Sequence, residues 1–378
     1  MNICMCDVGD GLNLFINHYM MVDFGGEKEK LKYQYHHRYC RYCYPFHYVE
    51  TFVLSHFHLD HYNGLFLKDA VPSFFDLKYV YYQGIPTIVD EKGNNIHIKF
   101  LGYLMAMNHY MLGDRSGLAS ADLINRLKQL SNKSFSYAPL FKGDIFQHQG
   151  KNYEVLWPPR VLKNENKIVT KIKTAIKDFE IAKEKNTELD SLAEKYNRIV
   201  EKYAQKNEDS NEKKYEYPND TMQKEEVKEE SEEIINDNIE HEGDLSDFIK
   251  KANESLRKAA NDLSLAFKTT ENELLFMGDL ETNQINILCD ELNGQDFKVF
   301  VTPHHGTHAG VKMKQIRSKI ALSSVGKLYN GYLKNKYLKD VSNHLYCTKK
   351  DGCLAIYINN SSLNIDTYKH DFEEISWK

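Results

Sequence analysis

The stretch Ser55-His56-Phe57-His58-Leu59-Asp60-His61-Tyr62-Asn63-Gly64 follows directly on an apolar run, Phe52-Val53-Leu54. The run reads as a buried strand, and Asn63-Gly64 marks the turn beyond it. Three imidazoles and a carboxylate at a strand end are poor core material. Once buried, each needs a partner, and a divalent cation is the partner that satisfies all of them. His56 and His58 fall on the same side of an extended segment and can share an ion. Asp60 and His61, past the turn, can serve a second. The bland alternative is a histidine-rich surface loop.

This motif resembles the signature of the metallo-β-lactamase superfamily, and later segments continue the resemblance in order. Met21-Val22-Asp23-Phe24-Gly25-Gly26 resembles the family's early strand with its Asp and glycine turn. Leu274 to Leu280, reading Leu-Leu-Phe-Met-Gly-Asp-Leu, is similar to the strand that ends in the metal-bridging Asp. Val299 to Thr307, with Thr302-Pro303-His304-His305-Gly306, is similar to the last ligand strand. The double histidine resembles the hydrolase domain of the DNA-uptake protein ComEC and its soluble relatives. Cys6 to Gly11, Val155 to Pro158, Ser323 to Gly326 with Asn330, and Tyr346 to Gly352 extend the similarity over about 1–160 and 260–370.

The resemblance implies an α+β fold, a four-layer αβ/βα sandwich of two face-to-face sheets with helices outside. It implies two divalent metal ions, and a site of N and O ligands without thiolate suits Zn or Mn equally. His56 and His58 would hold the first ion, Asp60 and His61 the second, and Asp279 would bridge them. His304 or His305 would complete the set. His304 is favoured because it directly ends the Val299-to-Pro303 run, leaving His305 to contact substrate or carry a proton. Asp60 would also orient the attacking water. The family's third histidine for the first ion has no convincing counterpart; His97, His109 and His148 qualify by position only. Asn261 and Ser264 match an Asn-x-x-Ser strand of the relatives, and Thr307 stands where they carry Ser. Asn330-Gly331-Tyr332-Leu333 departs from the family by lacking a His-Pro pair.

The 378 residues leave room for two domains, or for one with an insertion. A net charge of -5 gives no global basic footprint for nucleic acid, although a basic groove can hide in such a chain. Seven scattered cysteines without framework spacing fit a reducing, cytoplasmic compartment. His36, Cys40, Cys43 and His47 fall at helical offsets, but their ends on one helix lie about 16 Å apart, too far for a single zinc. No signal pattern opens the chain and no apolar run approaches about 18 residues, so no membrane contact is expected.

Strand-like segments fill the first half, and Leu123, Ile124, Leu127 and Leu130 predict a helix over 121–130. After Arg160 the composition turns Lys/Glu-rich. Ile168, Ile172, Ile176 and Phe179 trace one helical face. Leu189, Leu192, Tyr196, Ile199 and Tyr203 trace a heptad-like stripe. Lys206 to Glu233 is a polar, mixed-charge tract of disordered character. Leu245, Phe248, Ile249, Ala252 and Leu256 begin a further amphipathic helix. The expected organisation is 1–162 as the first half of the hydrolase domain, 163–257 as a charged helical insertion with a flexible tip, and 258–378 as the second half. The insertion is expected to project, with the 245–256 helix covering the 189–203 stripe. It reads as a helical hairpin folded back on its own domain, or as an arm that docks a protein partner or mediates self-association.

The leading functional expectation is a cytoplasmic, metal-dependent hydrolase of phosphodiesters, a nuclease with nucleic acid as substrate. The fold also carries ester and lactone hydrolysis, which keeps a small-ester or lactone hydrolase as an alternative. A regulatory or scaffold subunit is the alternative of a different class. Standalone hydrolases similar to ComEC also resemble components of multi-protein antiviral defence systems.

Overall fold

The computed structural model describes residues 1–31, 49–66, 75–89, 95–112, 126, 127, 130, 131, 135–208, 246–327, 336–359 and 362–369. Among these, fifteen strands form two sheets. The first sheet contains β1 (Asn2–Met5), β2 (Leu14–Ile16), β3 (Met20–Val22), β4 (Val49–Leu54), β5 (Phe75–Gln83), β6 (Ser136–Leu140), β14 (Cys353–Ile358) and β15 (Leu363–Tyr368). The second contains β7 (Ile145–His148), β8 (Lys151–Trp157), β9 (Ala266–Thr269), β10 (Leu274–Phe276), β11 (Asp296–Val301), β12 (Arg317–Ser323) and β13 (Leu345–Cys347). Their orders are β15-β14-β1-β2-β3-β4-β5-β6 and β13-β12-β11-β10-β9-β8-β7. Strands β3 to β6 and β10 to β13 pair in parallel. The rest of each sheet is antiparallel.

The two-residue period of a strand sorts the core. Ile3, Met5, Leu274, Phe276, Val299 and Val301 share one apolar cluster between the sheets. Their neighbours Cys4, Leu275 and Phe300 turn the other way and join the helices. The result is helix, sheet, sheet, helix: the expected four-layer α+β sandwich.

The helices are α1 (Ile96–Leu112), α2 (Lys167–Lys183), α3 (Thr187–Glu208), α4 (Asp247–Asn261), α5 (Thr282–Glu291), α6 (Lys336–Val341) and α7 (Thr348–Asp351). Helix α1 carries apolar residues around most of its circumference, which marks a helix buried on several sides rather than an amphipathic one. Phe100, Leu104 and Met107 are buried in one cluster with Phe52 and Val80 of the first sheet. Tyr103 stacks on Phe179 of α2 with ring centroids 4.2 Å apart. His109 Nδ1 lies 2.6 Å from the Tyr196 hydroxyl of α3.

The described part of the insertion joins neither sheet, as expected, but packs on the domain rather than projecting from it. Its described helices α2, α3 and α4 belong to the outer helical layer and share the main core. The expected pairing is also different. Leu189, Leu192, Tyr196 and Ile199 of the stripe lie on α1, and the Tyr203 side chain is outside the described residues; α4 lies on α2, where Lys251 and Ser255 both bond the Asp178 carboxylate. Ile168, Ile172, Phe179, Leu189 and Tyr196 are all essentially buried. Burial of side chains of this size is worth roughly 1.5–3 kcal/mol each, a sum comparable to the whole stability of a domain. Helix 121–130 is described only at Arg126, Leu127 and Leu130, which are helical. The cluster at 36–47, the tract from 209 to 245 and the segment 330–333 lie outside the described residues. No described helix is long and apolar enough to cross a membrane.

Candidate metal centre

The parallel strands of the two sheets end at one place, and the candidate ligands stand on the segments that follow. Asp23 follows β3, His56 follows β4, Asp279 follows β10, His304 and His305 follow β11, and Ser324 follows β12. The carboxyl ends of parallel strands are where an α/β framework leaves a crevice. Ser55 ties the first segment down. Its N–H donates to Asp23 Oδ1 at 2.7 Å and its hydroxyl to Asp23 Oδ2 at 2.6 Å. Leu59–His61 then forms one 3-10 turn, closed by His61 N–H donating to the His58 carbonyl at 3.0 Å. Phe24 N–H reaches the His61 carbonyl at 2.8 Å, holding the turn against the strand end.

Asp279 lies at the middle of the histidines. Its Oδ2 is 3.4 Å from Nε2 of His61, 3.7 Å from Nε2 of both His304 and His305, and 3.8 Å from Nε2 of His56. Two sets of side chains lie close enough to hold an ion: His56, His61 and Asp279, and Asp60, His61 and His305. His58, expected to share an ion with His56, is in neither set, although its ring centroid is 4.4 Å from that of His56. His304 is also in neither set; its Nδ1 lies 2.8 Å from Nδ1 of His308. His305 is the more buried of the pair.

The outer nitrogens determine what the inner ones offer. The Ser55 hydroxyl proton goes to Asp23, so His56 Nδ1, 3.0 Å away, donates to the Ser55 oxygen. His61 Nδ1 donates to Asp23 and His305 Nδ1 to the Ser324 carbonyl, at 2.7 and 2.9 Å. In each ring Nε2 is left as the lone-pair nitrogen, facing inward. Nε2 of His56, His58 and His61 is buried without a hydrogen-bond partner. Two of them, those of His56 and His61, lie 3.8 and 3.4 Å from Oδ2 of Asp279, which is the donor set of a divalent metal site, and the residues fit one.

The electrostatics are those of closely packed, buried ligand-type groups. Burial drives the His56 imidazole well below its ordinary range, with His61 and His58 adding to it. Burial, and then Arg257, takes His58 down to about 3. Burial raises the Asp60 carboxyl, but His61 and then Arg257 outweigh it and keep the group below its usual value. Burial likewise opposes ionisation of Asp279, yet His61, His304 and His305 hold it well down.

Backbone strain collects here. Asp23, His304 and His305 take positive φ values of 58°, 46° and 57°, in the left-handed region that residues with a Cβ avoid. Strain of this kind persists only where the surroundings enforce it, and it gathers at functional sites. At His304 the enforcing contact is its N–H donating to the Gly278 carbonyl at 3.0 Å.

His97, His109 and His148 are all engaged away from the cluster: with the Ile88 backbone, Tyr196 and Thr51 respectively. Asn261 and Ser264 are buried where α4 runs into β9, and the Thr307 hydroxyl caps the His304 carbonyl at 2.6 Å. The sequence reading missed His308, and it quoted Ser324 for its resemblance without giving it a role. His308 carried a signal, since it stands four residues after His304. Asp23 was quoted for its resemblance but given no role.

No protein-family model matches the chain, and no curated protein matches it. Among solved structures, it is similar to the metallo-beta-lactamase fold protein YhfI from Bacillus subtilis, with a TM-score of 0.34 and 8% identity. That alignment covers 92% of this chain and 96% of the other.

Proposed function

We propose that the protein is a metal-dependent hydrolase of phosphodiesters, with DNA as its polymeric substrate, of the kind that ComEC-type hydrolase domains represent. The supporting observation is the convergence of buried, unpartnered Nε2 atoms on the Asp279 carboxylate. His56, His61 and Asp279 would hold one divalent ion, and Asp60, His61 and His305 would hold or share a second, with zinc or manganese suiting the donors. His58 and His304 stand beside these sets as further ligands.

When bound, such ions supply Lewis-acid charge and lower the pKa of water towards neutrality. The chain's own groups do the positioning. Asp60, as a carboxylate, would accept a hydrogen bond from the attacking water and orient it. Asp23 fixes the His61 tautomer, and the Ser324 carbonyl fixes that of His305.

The test has two arms. Elemental analysis compares the wild type with a His56→Ala/His58→Ala variant, which should lose its metal; equal metal content in both would end the metal assignment. Hydrolysis is then assayed with Zn and with Mn on single- and double-stranded DNA, on bis(p-nitrophenyl) phosphate, and on p-nitrophenyl acetate and a simple lactone. Cleavage of the phosphodiesters, lost in Asp279→Ala, is the expected result. Cleavage of the ester and lactone alone would replace the phosphodiesterase reading with the small-ester alternative.

A further inference from the structure

The segment that carries the first histidines has little structure of its own. Strand β4 ends at Leu54 and the 3-10 turn begins at Leu59, so His56 and His58 stand on backbone that belongs to neither. The His58 side chain does not cap the turn it precedes. Groups from elsewhere in the fold hold this stretch instead. Ser55 N–H donates to Asp23 at 2.7 Å, and the Ser55 carbonyl accepts from Leu265 N–H at 2.8 Å. The Phe57 carbonyl, between His56 and His58, accepts from Nδ2 of Asn108 on α1 at 2.7 Å. The same Nδ2 donates at 2.9 Å to the hydroxyl of Tyr62, the residue after His61. One amide group thus spans the whole ligand segment.

Asn108 is 4% exposed, on a helix that is apolar around most of its circumference. Burying an amide there is costly unless its hydrogen bonds are made. A carbonyl can only accept, so it is the NH2 end of the amide that faces Phe57. The peptide plane from Phe57 to His58 is rigid, so fixing its carbonyl fixes the direction in which His58 departs. The next residue on the helix, His109, meets the Tyr196 hydroxyl of the insertion at 2.6 Å, which anchors this end of α1 from its other side. We propose that Asn108 is a positioning residue of the candidate metal centre, setting the pose in which His56, His58 and His61 meet an ion. This rests on the metal-centre reading above. A segment that keeps its binding pose only a tenth of the time binds about tenfold more weakly, so the effect falls on metal affinity.

The test titrates cobalt(II) into the full chain, because the visible spectrum of that ion reports the geometry of its ligands. Asn108→Asp keeps the shape but offers no N–H. It should weaken cobalt affinity by about 10- to 100-fold, as loss of an outer partner does, and alter the spectrum. Asn108→Gln keeps the amide and should recover part of the loss. Phe100→Leu, two turns back on the same helix, should lower Tm and leave affinity and spectrum as in the wild type. Should Asn108→Asp not fold, Tyr62→Phe removes one of the two acceptors and should cost about 2- to 10-fold. Wild-type affinity and spectrum in whichever of these folds, or an equal loss in Phe100→Leu, would overturn the proposal. If the wild type takes up no cobalt, the metal reading has failed, and amide hydrogen exchange of the metal-free chain decides. His61 and Tyr62 N–H close the 3-10 turn. Exchange there about tenfold faster in the variant would uphold Asn108 as the group that poses the segment, and unchanged exchange would dismiss it.

Discussion

Nδ1 of His61 lies 2.7 Å from Oδ2 of Asp23, and both side chains are fully buried. This contact fixes which nitrogen of His61 faces the centre. Asp23 accepts three hydrogen bonds in all, from His61 and from the Ser55 N–H and hydroxyl, so one carboxylate sets the pose of two neighbouring segments. Asp23→Asn keeps the shape but can present an N–H to His61. Outer partners of metal-binding histidines are worth about 10- to 100-fold in affinity. Competitive metal titration should show a loss of that size with the circular dichroism unchanged. Undiminished affinity would remove Asp23 from this role.

Gly25 is held close to the ligand turn. A Cβ at this position would lie 2.1 Å from the carbonyl oxygen of Asp60 and 2.6 Å from the His61 nitrogen. Backbone atoms cannot rotate out of the way as a side-chain tip does. Gly25→Ala should cost roughly 1–3 kcal/mol, as overpacking does, and should weaken metal binding by displacing Asp60. Thermal melts and metal titration read the two effects. A variant with wild-type Tm and wild-type affinity would contradict the packing described.

Asp262 offers a test by pH. Burial pushes its carboxyl up to about 6, in spite of Lys171 at 2.6 Å. A carboxyl with a higher pKa folded than unfolded favours the protonated form in the fold. Its stabilising contribution is full below about pH 4, the unfolded value, and is lost as pH rises through about 6. The Tm of Asp262→Asn relative to wild type should therefore climb between pH 4 and 7, because the amide has no charge to bury. A difference that stays constant over this range would show that the carboxyl titrates normally.

Excising 164–253 and joining the ends is expected to yield insoluble or molten protein. Phe100, Tyr103 and Met107 of α1 would lose their cover of α2 and α3. Solubility and the cooperativity of urea unfolding report the result. A soluble, cooperatively unfolding deletion would show that α1 can be covered another way.

Much of the site was legible because strand-end ligands leave local marks. The apolar run of β4 followed by His-x-His-x-Asp-His, and the Gly278-Asp279 pair after β10, needed only short-range patterns. The relation between His304 and His305 was not legible. It depends on consecutive left-handed residues at positions where the sequence carries no glycine to announce them. Helix α1 escaped notice for the opposite reason: packed on several sides, it has no polar face and so no one-sided period. The 189–203 stripe was visible as a helix, but a stripe specifies that a partner exists, not which one.

Strand β1 sits between β2 and β14, paired with the latter from Asn2 opposite Tyr357 to Met5 opposite Leu354. The consequence is one of timing. A chain emerging from the ribosome presents its His56-to-His61 segment early, with neither Asp279 nor His305 yet made. The first sheet cannot close around β1 until residues beyond 350 have been synthesised. Contacts so distant in sequence form slowly, because the intervening loop must be closed before they reward it. The candidate metal centre is thus among the last features of the molecule to come into being, and a truncated translation product carries the first of these side chains without a place to assemble them.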